Sequence, residues 1–354
     1  MKRVLCILAM ALLIPMLTAC GGEAYVEEVD YADDYDDYAD GYDYDDYDEH
    51  DDYQEYNDYN DYDEENDIGA RILELAEFAA YYFDRLQAMW DADDGAMWGV
   101  RLDLPVVIGC MEFQIAAATH PDADGNFARF YFDGTVAYAG TQRMVVDLIE
   151  RRHWYGETGV FIERRAMQST RFYNMRLLSD NSTASLGLIN HYAMHAIQPS
   201  LMGVSGADAV GGAGDESFVL EFNALLQALN ASGEERFNAA HRALSYRNAR
   251  RSTALGSAPN ENLLAMSEGT AVYTELMMTV SRDEAIATVQ RWPQLFYERP
   301  NNALLFGYIG GALYGILLDE FGVDWRPLVS PYLDLGELLQ EALGITYFLD
   351  VELP

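Results

Sequence analysis

The sequence predicts an α+β fold in which a strand-rich segment precedes a mainly helical one. Short aromatic and β-branched runs, separated by turns, fill residues 96–178, and residues 182–354 show long stretches of apolar residues at helical spacing. Strands followed by a run of helices are typical of α+β domains. The folded domain is expected to span residues 68–354, because the segments before it cannot build a core.

Residues 1–19 have the layout of an export signal, with a basic start and an apolar run that is short for a membrane span. The run ends in a sequence that resembles the bacterial lipoprotein box, Leu17-Thr18-Ala19-Cys20-Gly21. That resemblance implies that Cys20 is lipidated and becomes the mature N-terminus, so that lipid chains hold the protein on the extracytoplasmic face of the cell membrane. The alternative is an ordinary cleaved signal in which Cys20 is incidental.

Residues 20–67 are predicted to be an acidic, Asp/Tyr-rich disordered tether. Residues 23–67 carry 23 acidic side chains and no lysine or arginine, in repeated Asp-Tyr units. Like charges at this density repel one another and keep a chain extended. We therefore expect a solvated spacer between the anchor and the domain.

The charge of the whole chain argues against one class of partner. The 354 residues have a net charge of -37, and Lys2 is the only lysine. Nucleic-acid binding rests on clustered lysine and arginine, so no nucleic-acid partner is expected.

The domain opens with a helix predicted over residues 68–91, where apolar residues recur at helical spacing. Candidate strands follow at residues 98–102, 106–108, 113–115, 127–132, 160–162 and 172–175. Helices are predicted over residues 186–198, 217–229, 234–251, 262–280, 303–321 and 335–343. Residues 303–318 are apolar enough to suggest a membrane span, but they are fewer than the roughly 20 that a span needs, which favours a core helix.

Two histidines in the first of the long helices have metal-ligand spacing. His191 and His195 are four residues apart, so on a helix both imidazoles point the same way and can meet one ion. A third ligand must come from elsewhere, and Glu268 and Glu221 are the candidates. Glu268 precedes a glycine, where a close helix crossing is sterically easy. Glu221 has a competing interpretation, an ion pair with one of three arginines, which are Arg247, Arg250 and Arg251.

These segments resemble the gluzincin type of zinc metallopeptidase, in which a His-Glu-x-x-His helix is followed by a helix with a zinc-binding glutamate, often as Glu-Gly-x-Ala-x-Tyr. His191, His195 and Gln198 fit an extended form of the first motif, and residues 268–273 fit the second. The resemblance runs from about residue 98 to the C-terminus. It implies a zincin-like helical half and a zinc ion held by His191, His195 and Glu268, in preference to Glu221.

One position departs from the family pattern. The residue after the first histidine, where these peptidases carry a general-base glutamate, is Tyr192. A tyrosine, with a reference pKa near 10, is a poor base at neutral pH. The expected protein is therefore a zinc-binding but catalytically impaired domain, with no catalytic residue assigned, that binds a peptide, a partner protein or a cell-wall polymer. The alternatives are an active zinc hydrolase with a substitute base and a metal-free binding scaffold.

Overall fold

The computed structural model describes residues 64–102, 104–110, 115–121, 127–141, 160–163, 183–203, 217–253, 258–290 and 302–353. Within these residues the fold is mixed, with a small sheet in the first half of the domain and helices in the second. The predicted α+β class is confirmed at this level. The predicted signal, Cys20 and nearly all of the tether lie outside the described residues.

A long first helix and a five-stranded sheet form the first half. Helix α1 (Glu64–Asp93) begins before residue 68, the predicted start of the domain. The strands, in the spatial order β3-β4-β2-β1-β5, are β1 (Val106–Cys110), β2 (Ile115–Ala118), β3 (Ala128–Phe132), β4 (Thr135–Thr141) and β5 (Val160–Glu163). Pairing is antiparallel except between β1 and β5, which are parallel.

Alternation along β2 shows how the sheet is buried. Ile115 and Ala117 face the main core, which α1 and the later helices share, whereas Ala116 and Ala118 face a small second cluster with Val107. Side chains on a strand alternate between the two faces, so this pattern places apolar cover on both sides of the sheet centre. Small residues in β2 let α1 pack closely on the sheet.

The strand predicted over residues 98–102 is wrong. Residues 94–100 form turns and bends, in which Gly95 and Gly99 have φ values of +81° and +71°. The Asp93 carboxylate accepts hydrogen bonds from the backbone N–H groups of Gly95 and Met97, at 3.1 Å each. Such local side-chain bonds compete with strand pairing, and the aromatic character of the segment instead serves to bury Trp98.

The other predicted strands have different outcomes. Residues 106–108 and 160–162 fall in β1 and β5, and the predicted strand 127–132 matches β3 except that β3 begins at residue 128. Of residues 113–115 only Ile115 is described, at the start of β2. Residues 172–175 lie outside the described residues. Strand β4 was not predicted, because its alanine and glycine content carries little strand signal.

The helical half follows the predicted order with one break. Its helices are α2 (Thr183–Met202), α3 (Ser217–Asn230), α4 (Gly233–Thr253), α5 (Ala258–Leu264), α6 (Thr270–Thr279), α7 (Arg282–Val289), α8 (Asn302–Glu320) and α9 (Leu335–Leu343). The helix predicted over residues 262–280 is divided by a π-helical turn at Ala265–Gly269. Helix α7 was not predicted, although its Ser281 and Glu284 form a capping box.

Helix α8 is a core helix, as the sequence predicts. From Phe306 to Leu318 its described side chains are buried, and it contacts α3, α6, α9 and the π-helical turn. None of the helices in the described ranges is both long and apolar enough to span a membrane.

Candidate metal centre

Helix α2 carries both predicted histidine ligands on the side that faces α6 and the π-helical turn. His191 is fully buried, and His195, one turn later, keeps about a fifth of its side chain exposed. The neighbouring apolar residues Ile189, Ala193 and Met194 are buried in the main core and fix the rotation of the helix. Access to the two imidazoles is therefore from the His195 side.

The π-helical turn Ala265–Gly269 presents Glu268, whose side chain is 3% exposed. Single π-helical turns occur frequently at functional sites, because the extra residue re-aims side chains without ending the helix. A Cβ added at Gly269 would come 2.6 Å from Cα of Gly311 on α8, and one added at Gly311 would come 2.8 Å from Cα of Gly269. This glycine contact brings the two backbones together, as the close crossing after Glu268 requires.

The three predicted ligands meet at one point. Nε2 of His195 lies 3.1 Å from Nε2 of His191 and 3.3 Å from Oε2 of Glu268, and Nε2 of His191 lies 3.8 Å from the same oxygen. The three ligand atoms lie within 4.8 Å of one another, so the group can hold a metal ion. The charge state of His191 is compatible with this. Burial and the nearby His195 lower the pKa of His191 to about 3, although Glu268 opposes the shift. The imidazole is therefore neutral.

Gln198 joins His195 to the turn that carries Glu268. Its side-chain N–H group donates to the carbonyl oxygen of Ser267 and, at 3.2 Å, to Oγ1 of Thr270, and its Oε1 lies 2.9 Å from Nδ1 of His195. The amide is fully buried. One side chain therefore links both halves of the site.

Glu275 on α6 is the functional candidate that sequence reasoning missed. Its Oε2 lies 3.3 Å from Nδ1 of His191, on the side of the ring opposite Glu268. Burial raises the pKa of Glu275 to about 8. In the sequence, Glu275 lies seven residues after Glu268 and one position before the buried Leu276 of α6. The helical spacing from Glu268 is therefore the one sequence signal that could have identified Glu275.

Tyr192 lies beside the histidines, at the edge of the buried region. Its ring centroid is 5.7 Å from that of His191 and 6.4 Å from that of His195, and the side chain is half-buried. The carboxylates that contact the two histidines in the described residues are Glu268 and Glu275.

Glu221, the alternative third ligand, lies in another network. It is fully buried, accepts hydrogen bonds from Nη2 of Arg250 at 2.8 Å and from the Tyr314 hydroxyl at 2.7 Å, and is absent from the metal-ligand group. Glu221 therefore forms an ion pair with an arginine, which is the competing interpretation from the sequence.

The arginines of α4 are balanced by carboxylates. Arg247 pairs with Asp334, Arg250 with Glu221 and Glu261, and Arg251 with Glu261 and Asp334. Burial alone would raise the pKa of Asp334, but Arg247 and Arg251 hold it well below its usual range. We call these six residues the arginine–carboxylate network. Its three cations and three anions cancel, so it has no excess charge for an anionic ligand.

The structure thus brings together His191, His195 and Glu268, places Glu221 elsewhere and leaves Cys20 outside the described residues. No protein-family model, curated protein or solved structure matches this chain. Function is therefore inferred from the geometry of the site.

Proposed function

We propose that this protein is a lipid-anchored extracytoplasmic protein whose gluzincin-like domain binds zinc through His191, His195 and Glu268 and lacks efficient peptidase activity. The observation that carries the proposal is the mutual geometry of the three ligand atoms. The arrangement of the ligands on two helical segments also supports it. The histidines come from α2, which contacts β5, and the carboxylate comes from the π-helical turn that leads into α6, the helix packed on α2.

The separations fit a tetrahedral ion. Zinc binds imidazole nitrogen and carboxylate oxygen at about 2.0–2.2 Å, which gives ligand-to-ligand distances of about 3.3–3.5 Å in a tetrahedron. The observed distances of 3.1, 3.3 and 3.8 Å lie around that value. Two histidines and one carboxylate are also the donor set of a catalytic type of zinc site, in which a fourth position stays open.

The hydrogen-bond directions support the same conclusion. The carbonyl oxygen of Ser267 can only accept, so the side-chain NH₂ of Gln198 must face it and Oε1 must face His195. Nδ1 of His195 therefore carries the hydrogen, which leaves its Nε2 with a lone pair directed at the point where the three ligand atoms meet. A ligand nitrogen needs this tautomer.

The residues present favour binding over cleavage. When bound, zinc supplies Lewis-acid polarisation of a carbonyl oxygen. Peptide hydrolysis also needs a group that takes a proton from water and returns it to the leaving amine. Glu268 is assigned to the metal, Glu275 faces Nδ1 of His191, and Tyr192 occupies the motif position at which gluzincins carry their base. A peptide, a partner protein or a cell-wall polymer is thus bound rather than cut.

The two competing hypotheses make different predictions. An active hydrolase with a substitute base would cleave peptides in a zinc-dependent way without any substitution. A metal-free scaffold, in which His191 and His195 are only packing residues, would hold no zinc at all.

The purified domain should contain about one equivalent of zinc, and His195→Ala should lose it, because two ligands in a partly exposed site do not retain the ion. Metal analysis after dialysis measures this directly. His120→Ala, which removes an exposed histidine outside the site, is the matched control and should keep its zinc. Equal zinc in wild type and His195→Ala, or none in either, would contradict the site.

The anchor has its own test. Cys20→Ala should move the protein from the membrane fraction to the soluble exported fraction, because stable attachment needs the lipid chains that Cys20 is proposed to carry. Fractionation followed by immunoblotting measures the distribution. Cys110→Ala, a change at the other cysteine beyond the signal, should leave the protein in the membrane fraction. Membrane attachment of Cys20→Ala would contradict lipidation at Cys20.

A further inference from the structure

Two buried polar atoms beside the proposed metal site face each other without a hydrogen-bond partner. Nδ1 of His191 and Oε2 of Glu275 are 3.3 Å apart, and in the described part of the chain each lacks a partner that meets hydrogen-bond geometry. A buried polar group without a partner costs about 1–3 kcal/mol, so such a pair calls for an explanation.

The packing of α2 against α6 holds this carboxylate in place. Gly187 lies one turn before His191, and a Cβ added there would come 3.0 Å from Cγ of Glu275. The missing side chain leaves a slot through which Glu275 reaches the imidazole. Around the slot, Asn190 donates to Oγ1 of Thr279 at 3.2 Å, which fixes the helix pair.

We propose that Glu275 is a positioning residue for the metal site, accepting the Nδ1 hydrogen of His191 so that Nε2 of this ring directs its lone pair at the ion. The inference rests on the proposed zinc binding. A neutral imidazole that binds the ion through Nε2 carries its hydrogen on Nδ1, and the carboxyl oxygen of Glu275, 3.3 Å from Nδ1, is placed to accept it. The tautomer of His191 is then fixed by Glu275 as that of His195 is by Gln198.

The two outer partners differ in chemistry. Gln198 offers His195 an amide oxygen, whereas Glu275 offers His191 a carboxyl oxygen. Loss of a hydrogen-bonded partner of this kind behind a ligand histidine lowers metal affinity by about 10–100-fold.

Zinc affinity, measured by competition with a chromophoric chelator, tests the inference. Glu275→Gln keeps an acceptor oxygen without the carboxyl group and should bind about 10-fold more weakly, and Glu275→Leu removes the acceptor and should approach a 100-fold loss. Glu77→Gln, an exposed change on α1, is the control and should match wild type.

Two further readouts separate positioning from a purely structural role. Without metal, Glu275→Gln should be at least as resistant to thermal unfolding as wild type, because it removes a buried carboxylate that lacks a hydrogen bond. In the zinc-loaded wild type, imidazole nitrogen NMR should show the hydrogen of His191 on Nδ1.

The outcomes are distinct. Unchanged zinc affinity in both Glu275 variants would overturn the positioning role while leaving zinc binding in place. A loss of metal-free folding stability that accounts for the whole loss of zinc affinity in the Glu275 variants would show a structural role only. That result would also overturn the positioning role. Absence of zinc from the wild type would overturn the proposed function itself.

Discussion

Tyr192→Glu should give the domain a zinc-dependent peptidase activity that we propose the wild-type protein lacks. The substitution rebuilds a His-Glu-x-x-His helix at a position whose side chain is half-buried beside both histidine rings. A correctly placed general base contributes typically about 10²–10⁴-fold, so the gain should be visible as new cleavage products in a peptide-library digest. A chelator should abolish these products.

The control variant is Tyr192→Gln, which matches glutamate in size but is no base and should stay inactive. Inactivity of a zinc-loaded Tyr192→Glu protein would mean that the surroundings of the metal site serve binding alone. Zinc-dependent cleavage by the wild type, abolished by Tyr192→Phe, would contradict the proposed lack of activity and make Tyr192 the catalytic residue.

Arg250→Ala should lower the free energy of unfolding by about 3–5 kcal/mol, because it leaves the carboxylate of Glu221 buried without its cation. Both side chains of this pair are almost completely buried, and Arg250 bonds Glu221 through Nε at 3.3 Å and Nη2 at 2.8 Å. The hydrogen-bond partner that Glu221 keeps within the described residues, the Tyr314 hydroxyl at 2.7 Å, is neutral. Urea denaturation measures the loss.

Arg242→Ala is the matched control on the same helix. Among the described residues its exposed side chain bonds Gln227 alone, at 3.1 Å, so the change should stay within about 0.5 kcal/mol. The double change Arg250→Met with Glu221→Leu should recover most of the lost stability, because apolar side chains of similar volume often replace a buried pair at little cost. A loss below about 1 kcal/mol in Arg250→Ala would contradict a buried, charged Glu221.

The sequence predicted most of the helices because each buries a long stripe of apolar residues. Helix α9 occupies the predicted residues 335–343, with Asp334 as its N-cap and Gly344 at its C-cap in the left-handed region. Its start and stop signals are local, so they can be read without knowing the fold. The break between α5 and α6 has no such signal, since a π-helical turn leaves the apolar pattern nearly unchanged.

The sheet was harder to predict because strand formation depends on partners. Strand β4 has Ala137, Ala139 and Gly140 between its polar ends, and its pairing with β2 and β3 is what makes it a strand. Residues 98–102 are the opposite case, because their composition favours a strand that does not form. Asp93 instead stabilises a turn, and Trp98 is buried in the core, where its indole N–H donates to Thr274.

For the candidate site, residue spacing in the sequence was sufficient to identify the functional residues on α2 but not the one on α6. His191 and His195 are recognisable because both lie within one turn of α2. Glu275 is not, because its relation to His191 depends on how α6 crosses α2, and that crossing is allowed by Gly187, a residue without a side chain. Gln198 fits a sequence motif, but its hydrogen bonds to Ser267 and Thr270 cannot be predicted without the three-dimensional arrangement.

The contact between Gly269 and Gly311 means that formation of the site depends on helix α8, which supplies none of the three proposed ligands. The two ligand-bearing segments are linked by a Gln198–Ser267 bond across 69 residues, and the turn with Glu268 rests directly on the backbone of α8. A chain in which α8 has not docked therefore has its histidines but no properly placed carboxylate. If the site binds zinc as proposed, metal uptake should be a late event in folding, and the bound ion should stabilise only the finished structure, by about 2.7 kcal/mol when free zinc is a hundred times its dissociation constant.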